Sequence, residues 1–356
     1  MGIVNFYCKF KKLFPTAVVE ASKFECICFD LNQWLHANFD RCDTTDLPHL
    51  AFQYINDWQK RFCCSTVVVV MDGICPYPKL VLQKARRSNS DSARLCITAN
   101  TDFMQEFSQK LLALLKTNLI FANLYYSDSS RRGEGEHKIA RIIKKFNLKN
   151  VLVVCIDADF LMLVIAQQLP NVFVLRKCRF YCEIIDMDVV LHELPCSPFS
   201  FFVNVCFLGN DYLPRICTDI STEHYENLQS LCTGDEYLPE CQLYIDYLSW
   251  VWAYYQDMTI TTYPVGICPK ITLNNLRRHR SQQVVFNTIK PEYNSNEFNL
   301  LYTISKCKYL PASLQIYFTD FQDFVEQEDI DTFLDFWSEI LTYSKNCVQK
   351  FSAITS

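Results

Sequence analysis

Acidic side chains follow the most apolar segments of this sequence. Four runs rich in Val, Ile, Phe and Cys, namely FECICFD, TVVVVMD, VLVVCIDAD and FFVNVCFLGND, each end in aspartate. The aspartates at these ends are Asp30, Asp72, Asp157, Asp159 and Asp211. Glu134 and Glu136 add two carboxylates in the segment SDSSRRGEGEHK, which is predicted to open a helix after a loop. Sets of oxygen ligands of this kind select hard cations such as Mg²⁺ or Mn²⁺.

Positive charge must lie among so many carboxylates if they are to ionise together. A single aspartate after a strand usually caps the next turn or helix, so the argument rests on the recurrence of the pattern. Two divalent ions about 4 Å apart can clamp the attacking and leaving oxygens of a phosphoryl transfer. We therefore predict a site for two Mg²⁺ or Mn²⁺ ions that hydrolyses a phosphodiester with an activated water.

A basic segment, DGICPYPKLVLQKARRS, begins at Asp72. If it turns helical near Pro78, the side chains of Lys79, Gln83 and Arg86 share one face and Arg87 flanks it. Three cations and one amide suit an anionic phosphate group. The alternative is a solvated basic helix face, and the position directly after a predicted metal-site strand favours the phosphate pocket.

The elements that must position these residues follow from the hydrophobic pattern. Continuous apolar runs without alternation are typical of strands covered on both faces, as in a parallel sheet. Amphipathic helices are predicted between them at 46–60, 102–117 and 136–146. Strands alternating with helices favour an α/β fold in which a mainly parallel, twisted sheet is flanked by helices. Ligands bind such sheets at the carboxyl ends of the strands, where the aspartates fall.

The chain is predicted to have two parts. Residues 1–225 form the α/β domain, and residues 226–356 form a mostly helical lobe. Within the lobe, 244–255 and 328–352 are predicted helices and 259–297 is predicted to be rich in loops.

Composition excludes several classes of protein. Of 356 residues, 50% are hydrophobic, 21% are charged and only 7 are glycine, which excludes a collagen-like or low-complexity chain. The net charge of -5 offers no bulk positive field for nucleic acid, so a local basic patch must supply it. The 19 cysteines are interpreted as buried, reduced thiols. We expect a soluble cytoplasmic protein without a signal peptide, a membrane span or a membrane partner.

Taken in order, these segments resemble the Xrn family of 5'-to-3' exoribonucleases. The matching motifs are Gly2 with Phe6 and Tyr7, DxNxxxH (Asp30, Asn32, His36), DGxxPxxK with QxxRR (72–87), ITxxTxFM (97–104), SD with GEGEHK (127–138), DADxxML (157–163) and GNDYLP (209–214). Weaker matches follow in WVWAYY at 250–255 and around YLPASL at 298–314.

This resemblance implies a PIN-like nuclease core that degrades single-stranded RNA processively from its 5' end and releases 5'-mononucleotides. The seven carboxylates would be the metal ligands or their immediate supports. Lys79, Gln83, Arg86 and Arg87 would form a pocket for a 5'-monophosphate, too small for a cap or triphosphate. His36 resembles the residue that stacks on the terminal base, an interaction that tolerates every base.

Departures from the family pattern suggest a minimal catalytic core, of a kind that could suit a viral genome. Only nine residues separate Arg87 from Ile97, where the family carries a long insertion. The family's Trp before Tyr-Pro is missing, which leaves Tyr263 and Trp252 as candidates to stack opposite His36. Two alternatives stay open: a flap-type DNA nuclease, and a non-catalytic protein that binds RNA ends.

Overall fold

The computed structural model describes residues 6–21, 23–41, 43–76, 79, 83–84, 93–118, 122–155, 159–177, 182–218, 228–257 and 268–280. Several residues singled out by the sequence lie outside these ranges: Asp157, Arg86, Arg87, Tyr263 and the predicted helix at 328–352.

A mainly parallel sheet lies at the centre of the fold, as predicted. Its seven strands within the described ranges are β1 (Val18–Val19), β2 (Cys26–Asp30), β3 (Thr66–Val70), β4 (Asn123–Ser127), β5 (Val151–Val154), β6 (Val172–Lys177) and β7 (Cys182–Asp186). Their spatial order is β1-β7-β6-β5-β2-β3-β4. The five strands from β6 to β4 pair in parallel, and β7 and β1 extend the edge in antiparallel pairing.

The strand order reverses between β2 and β5. From β2 the chain moves outward through β3 to β4, and it then returns to the other side of β2 to form β5 and β6. At such a point, the loops that follow the strands on the two sides run in opposite directions and leave a crevice between them. This crevice, at the carboxyl ends of the strands, is the usual ligand site of an open α/β sheet.

Helices cover both faces of the sheet. The described helices are α1 (Phe6–Leu13), α2 (Leu31–Asn38), α3 (Leu47–Phe62), α4 (Asp102–Thr117), α5 (Gly135–Phe146), α6 (Asp159–Gln167), α7 (Met187–His192), α8 (Pro198–Cys206), α9 (Leu228–Leu231), α10 (Pro239–Tyr255) and α11 (Leu273–Arg278). The helices predicted at 46–60, 102–117, 136–146 and 244–255 are confirmed as α3, α4, α5 and part of α10.

The continuous apolar strands contribute side chains to two separate cores, because successive side chains of a strand point to opposite faces of the sheet. In β2, Cys26 and Cys28 face the core shared with α5, α6, α8 and α10. Ile27 and Phe29 face the core shared with α2, α3 and α4. Burial on both faces is why these strands carry no polar alternation.

One strand prediction is wrong. The run FFVNVCFLGND does not form a strand that ends at Asp211: it belongs to helix α8, followed by a turn. The hydroxyl of Ser197 accepts a hydrogen bond from the N–H of Ser200 at 3.2 Å, and Pro198 occupies the first helical turn, both of which favour a helix start. The helix is apolar on nearly all sides because it is buried, so it carries no visible period of 3.6.

The first described segment after residue 225 shares its core with the sheet domain. Tyr244, Leu248, Trp250 and Val251 of α10 lie in the same buried cluster as α6 and α8. The ring of Phe202 in α8 contacts Trp252 with ring centroids 5.0 Å apart. A division between residues 225 and 226 stays a prediction.

The cysteine and membrane expectations can be compared with the described residues. Every cysteine among them is a free thiol, and most are buried or partly buried. In the described segments, every helix is too short or too polar to cross a membrane.

Candidate active site

The carboxyl end of β2 is joined to that of β3 by a short chain of hydrogen bonds. Asp30 ends β2 and caps α2, because its carboxylate accepts a hydrogen bond from the N–H of Asn32 at 3.1 Å. The buried Asn32 side chain then accepts a hydrogen bond from the N–H of Asp72 at 3.0 Å. The DxN spacing therefore fixes the position of the second aspartate relative to the first.

The start of helix α5 meets both aspartates. Gly135 donates its N–H to the Asp72 carboxylate at 2.6 Å. A Cβ atom on Gly135 would lie only 2.7 Å from a carboxylate oxygen of Asp30, closer than real Cβ contacts allow. A side chain at residue 135 would therefore displace the Asp30 carboxylate at the place where the helix N-terminus, with its partial positive charge, approaches the two carboxylates.

Glu134 is buried next to Gly135, and its carboxylate accepts hydrogen bonds from three side chains. One carboxylate oxygen accepts a hydrogen bond from the ammonium group of Lys79. The other accepts hydrogen bonds from the hydroxyl groups of Tyr254 in α10 and Tyr212, the latter at 3.5 Å. The Lys79 ammonium also lies 3.8 Å from the carboxylate of Asp211.

Burial and neighbouring charges act in opposite directions on the pKa values of Glu134 and Lys79. Burial alone would raise the pKa of the Glu134 carboxyl, but Lys79 and further donors hold it below its ordinary value. Burial would likewise lower the pKa of Lys79, yet the attraction of Glu134 and its neighbours raises it well above its ordinary value. The pair is therefore an ammonium and a carboxylate.

Asp72 differs from Glu134 in this respect. Burial, followed by repulsion from Glu134, raises the pKa of the Asp72 carboxyl, and the hydrogen bond from Gly135 opposes that rise only in part. A carboxylate whose charged form is disfavoured in this way gains from additional positive charge nearby.

Glu136 and His137 complete the acidic cluster on the first turn of α5. Their ligand atoms and a carboxylate oxygen of Glu134 all lie within 4.8 Å of one another. His137 is buried, and neither of its ring nitrogens has a hydrogen-bond partner among the described residues. Burial lowers the pKa of His137 to about 4, so its imidazole is neutral and a potential ligand at pH 7.

The remaining carboxylates come from two helix ends. Asp159 is the first residue of α6 and is 7% exposed. Asp211 lies in the turn after α8, where the Asn210 side chain accepts hydrogen bonds from the N–H groups of Tyr212 and Leu213, each at 2.8 Å. Gly209 opens this turn with a φ of +85°, which favours glycine.

The structure thus connects several of the predicted acidic residues to the segment 134–136, either directly or through Lys79. Asp30, Asp72 and Asp211 are tied to it by Gly135 or Lys79. Asp157 of the predicted set and Arg86 and Arg87 of the predicted phosphate pocket lie outside the described residues. Gln83 is partly buried, and His36 is exposed in the last turn of α2.

Sequence reasoning did not assign a role to several residues that support the site. Asn32 and Tyr254 lie inside motifs quoted above, so the sequence marked their positions. It did not indicate which residue each of them would contact. Lys138 donates to the main-chain carbonyls of Met71 and Asp128, each at 2.7 Å, and so ties α5 to the ends of β3 and β4. Its partners are backbone atoms, which no side-chain pattern reveals.

Comparison with known proteins finds a family model that matches part of the chain. Residues 88–178 match the model of the XRN 5'-3' exonuclease N-terminus, which confirms the resemblance. A protein of Acanthamoeba polyphaga mimivirus, provisionally named a 5'-3' exonuclease, is 25% identical over 179 residues. That match covers 40% of this chain and 28% of the mimivirus protein, so the chain spans about a quarter of the curated relative.

Solved structures with some similarity to this one include Rad2 and a T5 5'-exonuclease. The catalytic core of Rad2 in complex with a DNA substrate is 13% identical, with a TM-score of 0.41 over 58% of this chain and 63% of that one. A mutant of the T5 5'-exonuclease is 14% identical, with a TM-score of 0.36 over 86% of this chain and 100% of that one.

Proposed function

Since residues 88–178 carry part of an Xrn-type N-terminal domain, we propose that this chain is a 5'-to-3' exoribonuclease. Its substrate is single-stranded RNA with a 5'-monophosphate, and its products are 5'-mononucleotides. The observation that supports this best is the contact of one segment, 134–136, with the carboxylates of Asp30 and Asp72 and with the ammonium of Lys79.

The donor set fits divalent metal ions. Carboxylate oxygens from several chain segments meet at a largely buried place, and the buried imidazole of His137 has unused nitrogens among the described residues. We propose that the seven carboxylates hold or support two Mg²⁺ or Mn²⁺ ions: Asp30, Asp72, Glu134, Glu136, Asp157, Asp159 and Asp211. Bound there, such ions would activate water and stabilise charge on the phosphoryl oxygens.

Lys79 relates the proposed phosphate pocket to these carboxylates. Its ammonium group contacts Glu134 and lies near Asp211, so a terminal phosphate that bound Lys79 would lie at the edge of the acidic cluster. The first phosphodiester after that phosphate would then be the bond presented for hydrolysis. This proximity favours removal of single nucleotides from a 5'-phosphorylated end over cleavage inside a strand.

His36 would bind the terminal base. It is exposed on α2, the helix that Asp30 caps, and therefore lies on the element that begins at the carboxylate cluster. Stacking of a base on an exposed ring contributes about 1–3 kcal/mol and does not depend on sequence.

The decisive experiment compares RNA ends. Identical single-stranded RNAs with 5'-monophosphate, 5'-triphosphate or 5'-hydroxyl ends are incubated with the protein and Mg²⁺, alongside a 5'-phosphorylated DNA of the same sequence. We expect rapid release of mononucleotides from the monophosphorylated RNA alone. Equal rates on all three RNA ends would refute the phosphate pocket, and faster hydrolysis of the DNA would favour the flap-type alternative.

A pair of matched variants separates this site from a contaminating nuclease. Asp72→Asn removes one partly buried negative charge and should abolish hydrolysis while the melting temperature stays equal or rises. Asp57→Asn makes the same change on the exposed face of α3 and should leave the rate unchanged. Retention of near-normal hydrolysis by Asp72→Asn would show that Asp72 is not a ligand, and inactivity of the unmodified protein on every RNA would favour a non-catalytic end binder.

A further inference from the structure

Two arginines that no role above accounts for lie at the edge of the acidic cluster. Arg131 and Arg132 are exposed in the loop between β4 and α5, and only Gly133 separates them from Glu134. They lie on the side of the sheet where the parallel strands end, together with Asp30 and Asp72.

The loop that carries them is fixed by main-chain hydrogen bonds. Gly73 donates its N–H to the carbonyl of Gly133, and Gly133 donates its own to the carbonyl of Ile74, both at 2.9 Å. The fit is so close that a Cβ atom on Gly73 would lie 1.7 Å from the carbonyl oxygen of Arg131. The backbone at Arg131 is therefore held against the segment that follows Asp72.

The first residues of the same loop are held as well. The carboxylate of Asp128 accepts a hydrogen bond from the N–H of Ser130 at 3.0 Å. The hydroxyl of the buried Ser129 accepts one from the N–H of Asn100 at 3.3 Å. Arg131 and Arg132 are thus exposed residues on a loop whose main chain is held by hydrogen bonds, which lowers the entropy lost when the loop binds a ligand.

A cluster of carboxylates in a protein of net charge -5 repels a polyanionic substrate, so cations at the edge of the cluster are needed to hold the strand. Guanidinium groups bind phosphate oxygens through two parallel hydrogen bonds. We propose that Arg131 and Arg132 bind backbone phosphates of the single-stranded substrate beside the carboxylate cluster, outside the pocket for the 5'-phosphate. This inference rests on the proposed function and adds to it a second, end-independent contact.

Arg141 of α5 is also exposed, but it has a structural role. The Arg141 guanidinium pairs with the carboxylate of Asp257 through Nε, 2.8 Å from Oδ1 and 2.9 Å from Oδ2, and through Nη2, 2.5 Å from Oδ1, and so ties α5 to the end of α10. Lys144 and Lys145 are exposed at the other end of α5, roughly 12 Å along the helix from Glu136.

Binding as a function of salt tests the proposal. A fluorescent single-stranded RNA is titrated with the protein in EDTA, so that no hydrolysis occurs, at salt concentrations from 50 to 200 mM. The double variant R131Q/R132Q is compared with the unmodified protein and with K144Q/K145Q, which removes the same charge from the far end of α5. Each RNA is used with a 5'-hydroxyl and with a 5'-monophosphate.

Loss of two phosphate contacts should reduce the slope of log affinity against log salt by about 1.4, since each contact on a single strand contributes about 0.7. When the salt concentration rises from 50 to 200 mM, the affinity for RNA falls by some factor in each protein. That factor should be about sevenfold smaller for R131Q/R132Q than for the unmodified protein. The decrease should be equal for both RNA ends, and K144Q/K145Q should keep the original slope.

An unchanged slope for R131Q/R132Q, or a decrease seen only with the 5'-monophosphate, would overturn the inference. An equal decrease in K144Q/K145Q would also overturn it, because the effect would then be one of net charge. If the slope falls as expected but the unmodified protein hydrolyses no RNA in Mg²⁺, the phosphate contacts stand and the proposed function fails.

Discussion

Both carboxylate oxygens of Glu134 accept hydrogen bonds from protein groups. The Lys79 ammonium contacts one oxygen, and the hydroxyl groups of Tyr212 and Tyr254 contact the other. Burial, followed by the negative charge of Glu134, raises the pKa of Tyr254 well above its ordinary value, so that hydroxyl stays protonated and donates. A buried carboxylate with donors of this kind keeps its charge and orientation at neutral pH.

Removal of the Tyr254 hydroxyl should therefore weaken both the fold and the site. In Tyr254→Phe, a buried carboxylate loses one donor, which costs about 1–3 kcal/mol of the free energy of unfolding. We also expect RNA hydrolysis to slow by about tenfold or more, because Glu134 is then less firmly positioned. Urea unfolding and single-turnover hydrolysis measure the two effects.

Tyr244→Phe is the matched control for this experiment. Tyr244 lies on the same helix, is fully buried, and its hydroxyl has no hydrogen-bond partner among the described residues. Removal of that hydroxyl should leave the rate and the unfolding free energy nearly unchanged. Equal effects of the two substitutions would show that Tyr254 acts through packing alone.

His137 predicts a dependence of stability on pH in the metal-free protein. Burial lowers its pKa from 6.5 to about 4, so between these values the unfolded chain binds a proton that the folded chain does not. The free energy of unfolding should therefore fall as pH decreases from 6.5 to 4, by about 3 kcal/mol at most from this residue. Urea unfolding in EDTA at a series of pH values measures the decrease.

In His137→Asn this part of the pH dependence should disappear, whatever the substitution does to stability at pH 7. His49→Asn, on the exposed surface of α3, should keep it. A pH profile of His137→Asn that parallels that of the unmodified protein would mean that folding does not shift the pKa of His137.

At the scale of elements, helix α5 organises the site. Its first turn contacts the carboxylates that end β2 and follow β3, and Lys138 bonds to the carbonyls of Met71 and Asp128. The helix thus holds the ends of three adjacent parallel strands at a fixed separation. That separation, in turn, sets the distances among the carboxylates.

The close approach at Gly135 can be tested by a double-mutant cycle. Gly135→Ala places a Cβ atom 2.7 Å from the Asp30 carboxylate, so we expect Asp30 to shift, hydrolysis to be lost and the melting temperature to fall. In Gly135→Ala combined with Asp30→Ala the overlap is gone, and alanine is the better helix former. The double variant should therefore be more stable than the sum of the single effects.

Thermal unfolding of the four proteins measures this coupling. Strictly additive changes in stability would show that residue 135 does not approach Asp30. Lys144→Ala, an exposed change at the far end of α5, is the control for a general effect of helix substitution.

At the scale of the whole molecule, α10 and the sheet domain share one buried cluster. Tyr244, Trp250 and Val251 pack with residues of α6 and α8, and Tyr254 reaches Glu134 from the same helix. The segment after residue 225 thus contributes both to the core and to the acidic site. We expect a chain that ends at residue 225 to expose apolar surface and to lack cooperative unfolding.

A chain that ends at residue 280 keeps α10 and α11 and should unfold cooperatively in urea. Near-ultraviolet circular dichroism and binding of a hydrophobic dye distinguish a packed core from a loosely packed one. Cooperative unfolding of the shorter chain, with stability close to that of the longer one, would instead support independent domains at the predicted boundary.

The sequence by itself determined the parallel sheet and most of its acidic residues. Strands buried on both faces, such as Thr66–Val70, must be continuous and apolar, and the motif GEGEHK carries the glycine that the approach to Asp30 requires. The segment of helix α8 was wrongly predicted to be a strand, because a fully buried helix shows no helical period of hydrophobic residues. Local patterns therefore sufficed for the strands and for the residues that the motifs carry.

Only the tertiary structure decided which side chains complete the site. Tyr254 lies 120 residues from Glu134, and Lys79 lies 55 residues from it, so neither contact follows from spacing along the chain. The same holds for Arg131, whose position depends on the backbone hydrogen bonds between Gly133 and residues 73 and 74. Contacts between distant segments depend on how helices pack on the sheet, and that packing is a property of the whole core.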